Sequence, residues 1–239
     1  MSSKKQVFIA LEVLNLTGSE TQTLVLGHIA YHHAKHGSFN SSVSAIAKYL
    51  NYSVNAVKNA LHALTLYKDE HGQPLIHHEL QDNYNRKIRL NAKHALGFKL
   101  VQSYARMVMP RNPNDIITLH INLYSVSLDL YHSEHRYDSR HQHKMLVLKS
   151  LITAKIESNL LNSKNRRNTY SQTVQQLAEK LGWAAATIQA LISSMIKTGL
   201  ISVVKERVES YRGLLYIFGI ITSSRTKRKS PLTRTPKPS

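Results

Sequence analysis

The chain has 239 residues, 42% of them apolar, which is enough for two small globular units and too apolar for a disordered chain. Lys and Arg number 32 against 14 Asp and Glu, a formal net charge of +18, which calls for an anionic partner, nucleic acid being the usual one and a membrane surface the competitor. No cysteine is present, so disulfides and cysteine-ligated zinc are excluded, and no run of about 18 apolar residues could span a bilayer.

Residues 5–16 are apolar and partly β-branched, and read as a strand or a short docking helix. Glu12 interrupts them and no small-residue cleavage site follows, so they are structure rather than a signal peptide. Ser19 is a candidate N-cap for a helix from Glu20 to Lys35. Its apolar side would comprise Leu24, Gly27, Ile29, Tyr31 and Ala34, and Gly37 would end it.

Val43, Ile46, Ala47 and Leu50 recur at three and four, which predicts a helix over Ser42 to Leu50 capped by Ser41 or Ser42. Asn51-Tyr52-Ser53 is a tight joint, and Ser53 caps a second helix from Val54 to Leu66. Val57, Leu61 and Leu64 face inward there, while Asn55, Lys58, Asn59 and His62 form one outward stripe. Asn pairs bidentately with adenine in the major groove, and Lys serves guanine or phosphate, so this stripe is the candidate base reader. Beyond the turn cluster Asp69 to Pro74, Leu75 to Leu80 and Arg86 to Leu90 predict a β-hairpin. Asn85, Arg86, Lys87 and Arg89, at its tip and on its return strand, are candidate phosphate contacts.

The stretch TLVLGHIAYHHAKHGSFNSSVSAIAKYLNYSVNAVKNALHAL resembles the winged-helix domains of bacterial plasmid and phage replication initiators. Those share a helix, a small aromatic-ended turn, a capped helix ending in Ala-x-x-Leu, and a recognition helix. The resemblance covers about residues 20–90. It implies a winged-helix fold and DNA binding at origin repeats, in a bacterial cytoplasm, associated with nucleoid or plasmid.

In the middle of the chain, Phe98 to Met109 reads as a helix that Pro110 and Pro113 break. Ile117, Leu119, Ile121 and Leu123 alternate, which predicts a strand over Ile116 to Leu123. A helix over His141 to Leu161 would bury Leu146, Leu148, Leu151, Ile152 and Ile156. The basic loop Asn162 to Asn168 follows, with Arg166 and Arg167 as candidate phosphate contacts.

A second copy of the earlier pattern then begins. Phe39 falls on Tyr170, Ser42 on Thr173, Ile46 on Leu177, Leu50 on Leu181 and Tyr52 on Trp183, without a gap. Val57 falls on Ile188, Leu61 on Ile192 and Leu64 on Met195. Such a shared period marks a repeated structural unit. It predicts a helix Thr173 to Leu181, a joint at Gly182-Trp183, and a helix Ala184 to Thr198 closed by Gly199. A second hairpin, Leu200 to Lys205 with Leu214 to Ile221, flanks a polar loop from Glu206 to Gly213. Here the outward stripe becomes Ala186, Gln189, Ala190 and Ser193, which is small and neutral. Thr187, Gln189 and Ser193 with Arg207 and Arg212 are the candidate DNA contacts of this unit, which otherwise serves as a face for a second copy of the chain. The tail Ser223 to Ser239 lacks periodicity and reads as disordered, and its Arg225, Lys227, Arg228 and Lys229 would add charge-driven affinity.

Rival chemistry has less support. The chain holds 14 histidines, with His28, His32 and His36 on one helix side beside His33, and a second group at His132, His135, His141 and His143. No His-Glu-x-x-His occurs, so they read as solvated surface histidines whose protonation would strengthen anion binding, with zinc as the alternative. Nine glycines leave little room for a phosphate loop, no Gly-x-Ser-x-Gly occurs, and the acidic residues are too scattered for a two-metal centre. The expectation is therefore a mainly α protein with small β-hairpins (α+β) and two tandem winged helix-turn-helix domains. The first occupies residues 1–100, a connecting segment 101–140, the second domain 141–222 and the basic tail 223–239. The expected function is sequence-specific double-stranded DNA binding without catalysis, cofactor, membrane or small-molecule substrate, as a replication initiator. A winged-helix transcriptional regulator, or a structural or partner-binding module with unspecific DNA affinity, are the alternatives.

Overall fold

The computed structural model describes residues 5–81, 85–109, 122–128, 141–161, 168–207 and 214–219, with the backbone alone for 204–207 and 214. The order of elements begins with β1 (Gln6–Ala10), α1 (Leu11–Thr17) and α2 (Glu20–His36). Residues 5–16 thus form both a strand and a helix rather than one of them. Gly18 ends α1 at φ 61° and returns its N–H to the Leu14 carbonyl. The Ser19 side chain accepts from the Gln22 amide to start α2, and Gly37, at φ 72°, stops it.

α2 is buried over the unbroken run Thr23 to Ala30, not along one apolar side. The reason is its place at the centre of the molecule, with β1 on one side and α4 (Val54–Leu66) and α5 (Ala95–Val108) on others. Gly27 makes that position possible, because a Cβ there would collide with the backbone carbonyl of Phe8 in β1. The Tyr104 hydroxyl of α5 donates to the same Phe8 carbonyl at 2.6 Å.

After α2 come β2 (Phe39–Ser41), α3 (Val43–Leu50), α4, β3 (Ile76–Leu80) and β4 (Arg86–Leu90). The three strands form an antiparallel sheet in the order β2-β4-β3. Ser42 caps α3 through the Ala45 amide, and Ser53 caps α4 through the Ala56 amide. Asn51, between them, holds the left-handed conformation at φ 57° that turns the chain. α5 starts three residues before the predicted Phe98, because the His94 Nδ1 accepts from the Leu96 and Gly97 amides and caps it.

β5 (Leu123–Ser127) lies C-terminal to most of the predicted strand Ile116 to Leu123, whose residues up to 121 lie outside the described residues. β5 pairs antiparallel with β1, from Ala10 on Leu123 to Gln6 on Ser127. The remaining elements are α6 (Gln142–Leu161), β6 (Thr169–Thr173), α7 (Val174–Leu181), α8 (Ala185–Lys197), β7 (Ser202–Arg207) and β8 (Leu214–Gly219), with sheet order β6-β8-β7. Helix, strand, helix, helix, strand, strand therefore occurs twice, with the returning strand central in both sheets. Thr173 and Gln176 form a reciprocal capping box at the start of α7.

The buried ladder explains why the two copies adopt one shape. Ile46 and Leu177, Leu50 and Leu181, Val57 and Ile188, Leu61 and Ile192, and Leu64 and Met195 are each at most 1% exposed. Both ladders belong to one contiguous apolar core, so the whole is an α+β structure of helices and small antiparallel sheets. Equivalent strands β1 and β5 precede the two copies and pair antiparallel, which is the arrangement a local twofold axis produces. Between the copies, the His143 Nε2 of α6 donates to the Leu50 carbonyl at 3.0 Å, and its ring stacks on Tyr52 at 3.7 Å. Lys144 pairs with Glu20 at 3.9 Å and lies over the Trp183 ring.

Candidate nucleic-acid interface

Two elements of the first copy place the candidate residues. α4 buries Val57, Ala60, Leu61 and Leu64, and this fixes the opposite side toward solvent. Asn55, Lys58, Asn59 and His62 are all exposed there, as the spacing predicts. Ser53 is also exposed, but its hydroxyl oxygen already accepts from Ala56 at 3.1 Å. A further DNA contact by Ser53 would therefore use the hydroxyl proton.

The hairpin supplies the second group. β3 and β4 pair from Ile76 on Leu90 to Leu80 on Arg86, and the Gln81 amide donates to the Asn85 carbonyl to close the connection. Directly opposed residues share a face. Ile76, His78, Leu80, Ile88, Leu90 and Arg86 therefore lie on one face, with His77, Glu79, Lys87 and Arg89 on the other. Arg89 is exposed, Lys87 and Arg86 are half-buried, and Asn85 is exposed at the tip. Arg86 Nη1 donates to His78 Nδ1 at 3.0 Å. His62 acts electrostatically on His78, which places the end of the α4 stripe near this side of the hairpin. Burial first, then Arg86 and His62, hold the His78 imidazole below its ordinary range. His78 was not among the sequence candidates, although counting the hairpin register from its loop would have set it on the same face as Arg86, one pair further in.

The histidines of α2 correct an expectation. His28, His32 and His33 are packing groups rather than solvated charges, while His36 is exposed as expected. His28 is 7% exposed, stacks on Tyr49 at 4.3 Å and meets the edge of Phe39. Burial, and then His32, lower its pKa to about 3. His32 is lowered by burial and then by His36 and Lys35, and His33 by burial and then by Arg89. His33 Nδ1 accepts from the Leu90 amide at 2.7 Å and ties α2 to β4. A bond of that kind needs the neutral ring. His143 is also buried rather than solvated, and burial lowers it despite its bond to Leu50. His132 and His135 lie outside the described residues. Among the described residues, no group of three or more His, Asp or Glu is placed to hold a metal ion.

The second copy presents a different surface. Ala186, Gln189, Ala190 and Ser193 are exposed on α8, and Thr187 is half-buried. Lys197 closes the helix as its basic residue. Gln189 is the one long carboxamide on this face, while Ala186, Ala190 and Ser193 stand where α4 carries Asn55, Asn59 and His62. Arg207 sits in β7, where only the backbone is described. Arg166, Arg167, Arg212, Arg225, Lys227, Arg228 and Lys229 lie outside the described residues, as does the tail that was read as disordered. No helix among the described residues is long and apolar enough to cross a membrane. No protein-family model matches the chain, and no curated protein matches it either.

Proposed function

We propose that this protein is a tandem winged-helix, sequence-specific double-stranded DNA-binding protein that acts as a replication initiator on repeated sites. The observation that carries the reading is the exposed α4 stripe. Four polar side chains stand on the second helix of a capped helix pair, with a basic hairpin at their flank, in a chain of net charge +18. A helix so presented fits the major groove, where Asn55 and Asn59 would pair with adenine edges and Lys58 with guanine or phosphate. Arg86, Lys87 and Arg89 would contact the backbone and fix the register without reading sequence. The neutral face of α8 favours a division of labour, in which the first copy reads bases and the second positions the complex.

The test is footprinting on fragments from the source genome across a salt series, with Asn55→Ala and Asn59→Ala. Each substitution should weaken cognate binding by about 1–3 kcal/mol and leave random DNA nearly unchanged. Equal losses on both DNAs would show that the stripe does not read bases. A steep salt slope with no protected site would remove the sequence-specific reading altogether. Protection of direct repeats with local melting supports an initiator, and one inverted repeat held by a dimer supports a transcriptional regulator.

A further inference from the structure

The α4 stripe leaves His78 without a role, yet its geometry is specific. Ile76, Ile88 and Leu90 bury the inner part of the hairpin face, and His78 and Arg86 continue that face outward, half-buried. Arg86 Nη1 stands 3.0 Å from His78 Nδ1. A guanidinium has only N–H donors and no acceptor. The contact is therefore a hydrogen bond only while His78 is neutral with its lone pair on Nδ1. A protonated ring would set N–H against N–H and charge against charge. The groups acting on His78 from the packed elements are Arg86 of β4 and His62 of α4. Its strand neighbours His77 and Glu79 lie on the other face, opposite Arg89 and Lys87.

We propose that His78 is the positioning residue for Arg86 and the proton acceptor of an anion site: a phosphodiester oxygen replaces His78 as the acceptor for Arg86, and the freed Nδ1 takes one proton from solvent and donates to the same anion. The only bond formed is Nδ1–H, its proton leaving a solvent acid, and one proton is taken up for each anion bound. Without the anion, Arg86 is folded back on the imidazole. With it, the pair carries one more positive charge, so binding tightens as pH falls. For its ligand this inference rests on the DNA reading above, but the site itself is defined by side chains of this chain alone. Nδ1 accepts from Arg86 in the free protein, and burial, then Arg86 and His62, hold the ring's pKa below its ordinary value, which leaves the proton to be gained on binding.

The first test is NMR on the full chain, with the His78 ring assigned by its loss in His78→Gln, titrated with and without inorganic tripolyphosphate. The expected result is a higher His78 titration midpoint with the anion, and no such rise in Arg86→Gln. An unchanged midpoint overturns the inference. The second test is the affinity for a duplex fragment against pH at fixed ionic strength. Wild type should gain up to about tenfold per pH unit between the free and bound midpoints, the limit for one linked proton. His78→Gln keeps an oxygen acceptor for Arg86 but takes up no proton, so it should lose this gain. A His78→Gln profile identical to wild type overturns the inference and leaves DNA binding intact. No duplex binding at any pH refutes the proposed function instead, and the tripolyphosphate titration still decides His78.

Discussion

Acidification from pH 7 to pH 5 should remove about 2 kcal/mol of folding stability at His28 alone. In the folded chain its pKa lies at about 3, against an ordinary 6.5, so the ring stays neutral across that interval. In the unfolded chain the same ring protonates as pH drops through 6.5. The unfolded state therefore binds more protons, and stability falls with pH, levelling off only below the folded value. Between pH 7 and pH 5 the unfolded state gains a little under a decade and a half in its protonation factor, which is the figure above. His32, His33 and His143 are lowered in the same direction and add to the loss. The informative variant is His28→Leu, which fills the space without a titrating group. It should lose some aromatic contact with Tyr49 and Phe39 at pH 7, yet its decline to pH 5 should be shallower than wild type by about 2 kcal/mol. Urea unfolding followed by circular dichroism at each pH measures both quantities. Parallel declines in variant and wild type would refute the claim that burial holds His28 neutral.

Further outcomes follow from packing. Gly27→Ala should destabilise by about 1–3 kcal/mol, because the new methyl group meets backbone in β1 rather than a movable side chain, and a lowered thermal midpoint would register it. A midpoint equal to wild type would mean that β1 is not held against α2. Leu61→Ala and Ile192→Ala should each cost about 2–5 kcal/mol. Since both residues belong to one contiguous core, either change should shift a single unfolding transition. Two separated transitions in a calorimeter would contradict that continuity.

What could be read in the residues was whatever is local. Caps at Ser19, Ser42 and Ser53, and the three-and-four spacing of Val43, Ile46, Ala47 and Leu50, set α2 to α4 to within a residue or so. The matched ladder from Ile46 to Met195 was legible because both copies solve the same packing problem with the same positions. α2 was misjudged for a physical reason: a helix buried all round has no amphipathic stripe to read. His28, His32, His33 and His143 were misjudged by residue type, whereas His36 and His141 are exposed as their polarity suggests. His28 falls four residues after buried Leu24 and one before buried Ile29, and that placement outweighs its polarity. The β1–β5 pair had no local signal, because each strand takes its register from the other. Of the candidate interface, exposure on α4 was legible, while the Arg86–His78 contact and the influence of His62 on it depend on the pairing of the hairpin and its packing near the helix.

The pairing of β1 with β5 sets an order of events during synthesis. A ribosome delivers Gln6 to Ala10 early and their partners Leu123 to Ser127 only after the entire first copy has emerged. Until then the side of β1 that β5 will cover is unpaired, able to capture a strand from a neighbouring nascent chain. Its attachment to α2 through Gly27, and the Tyr104 hydroxyl that reaches the Phe8 carbonyl, give it something to fold against while it waits. Closure of this non-local ladder is the slow step expected of the chain, and the second copy docks as it occurs.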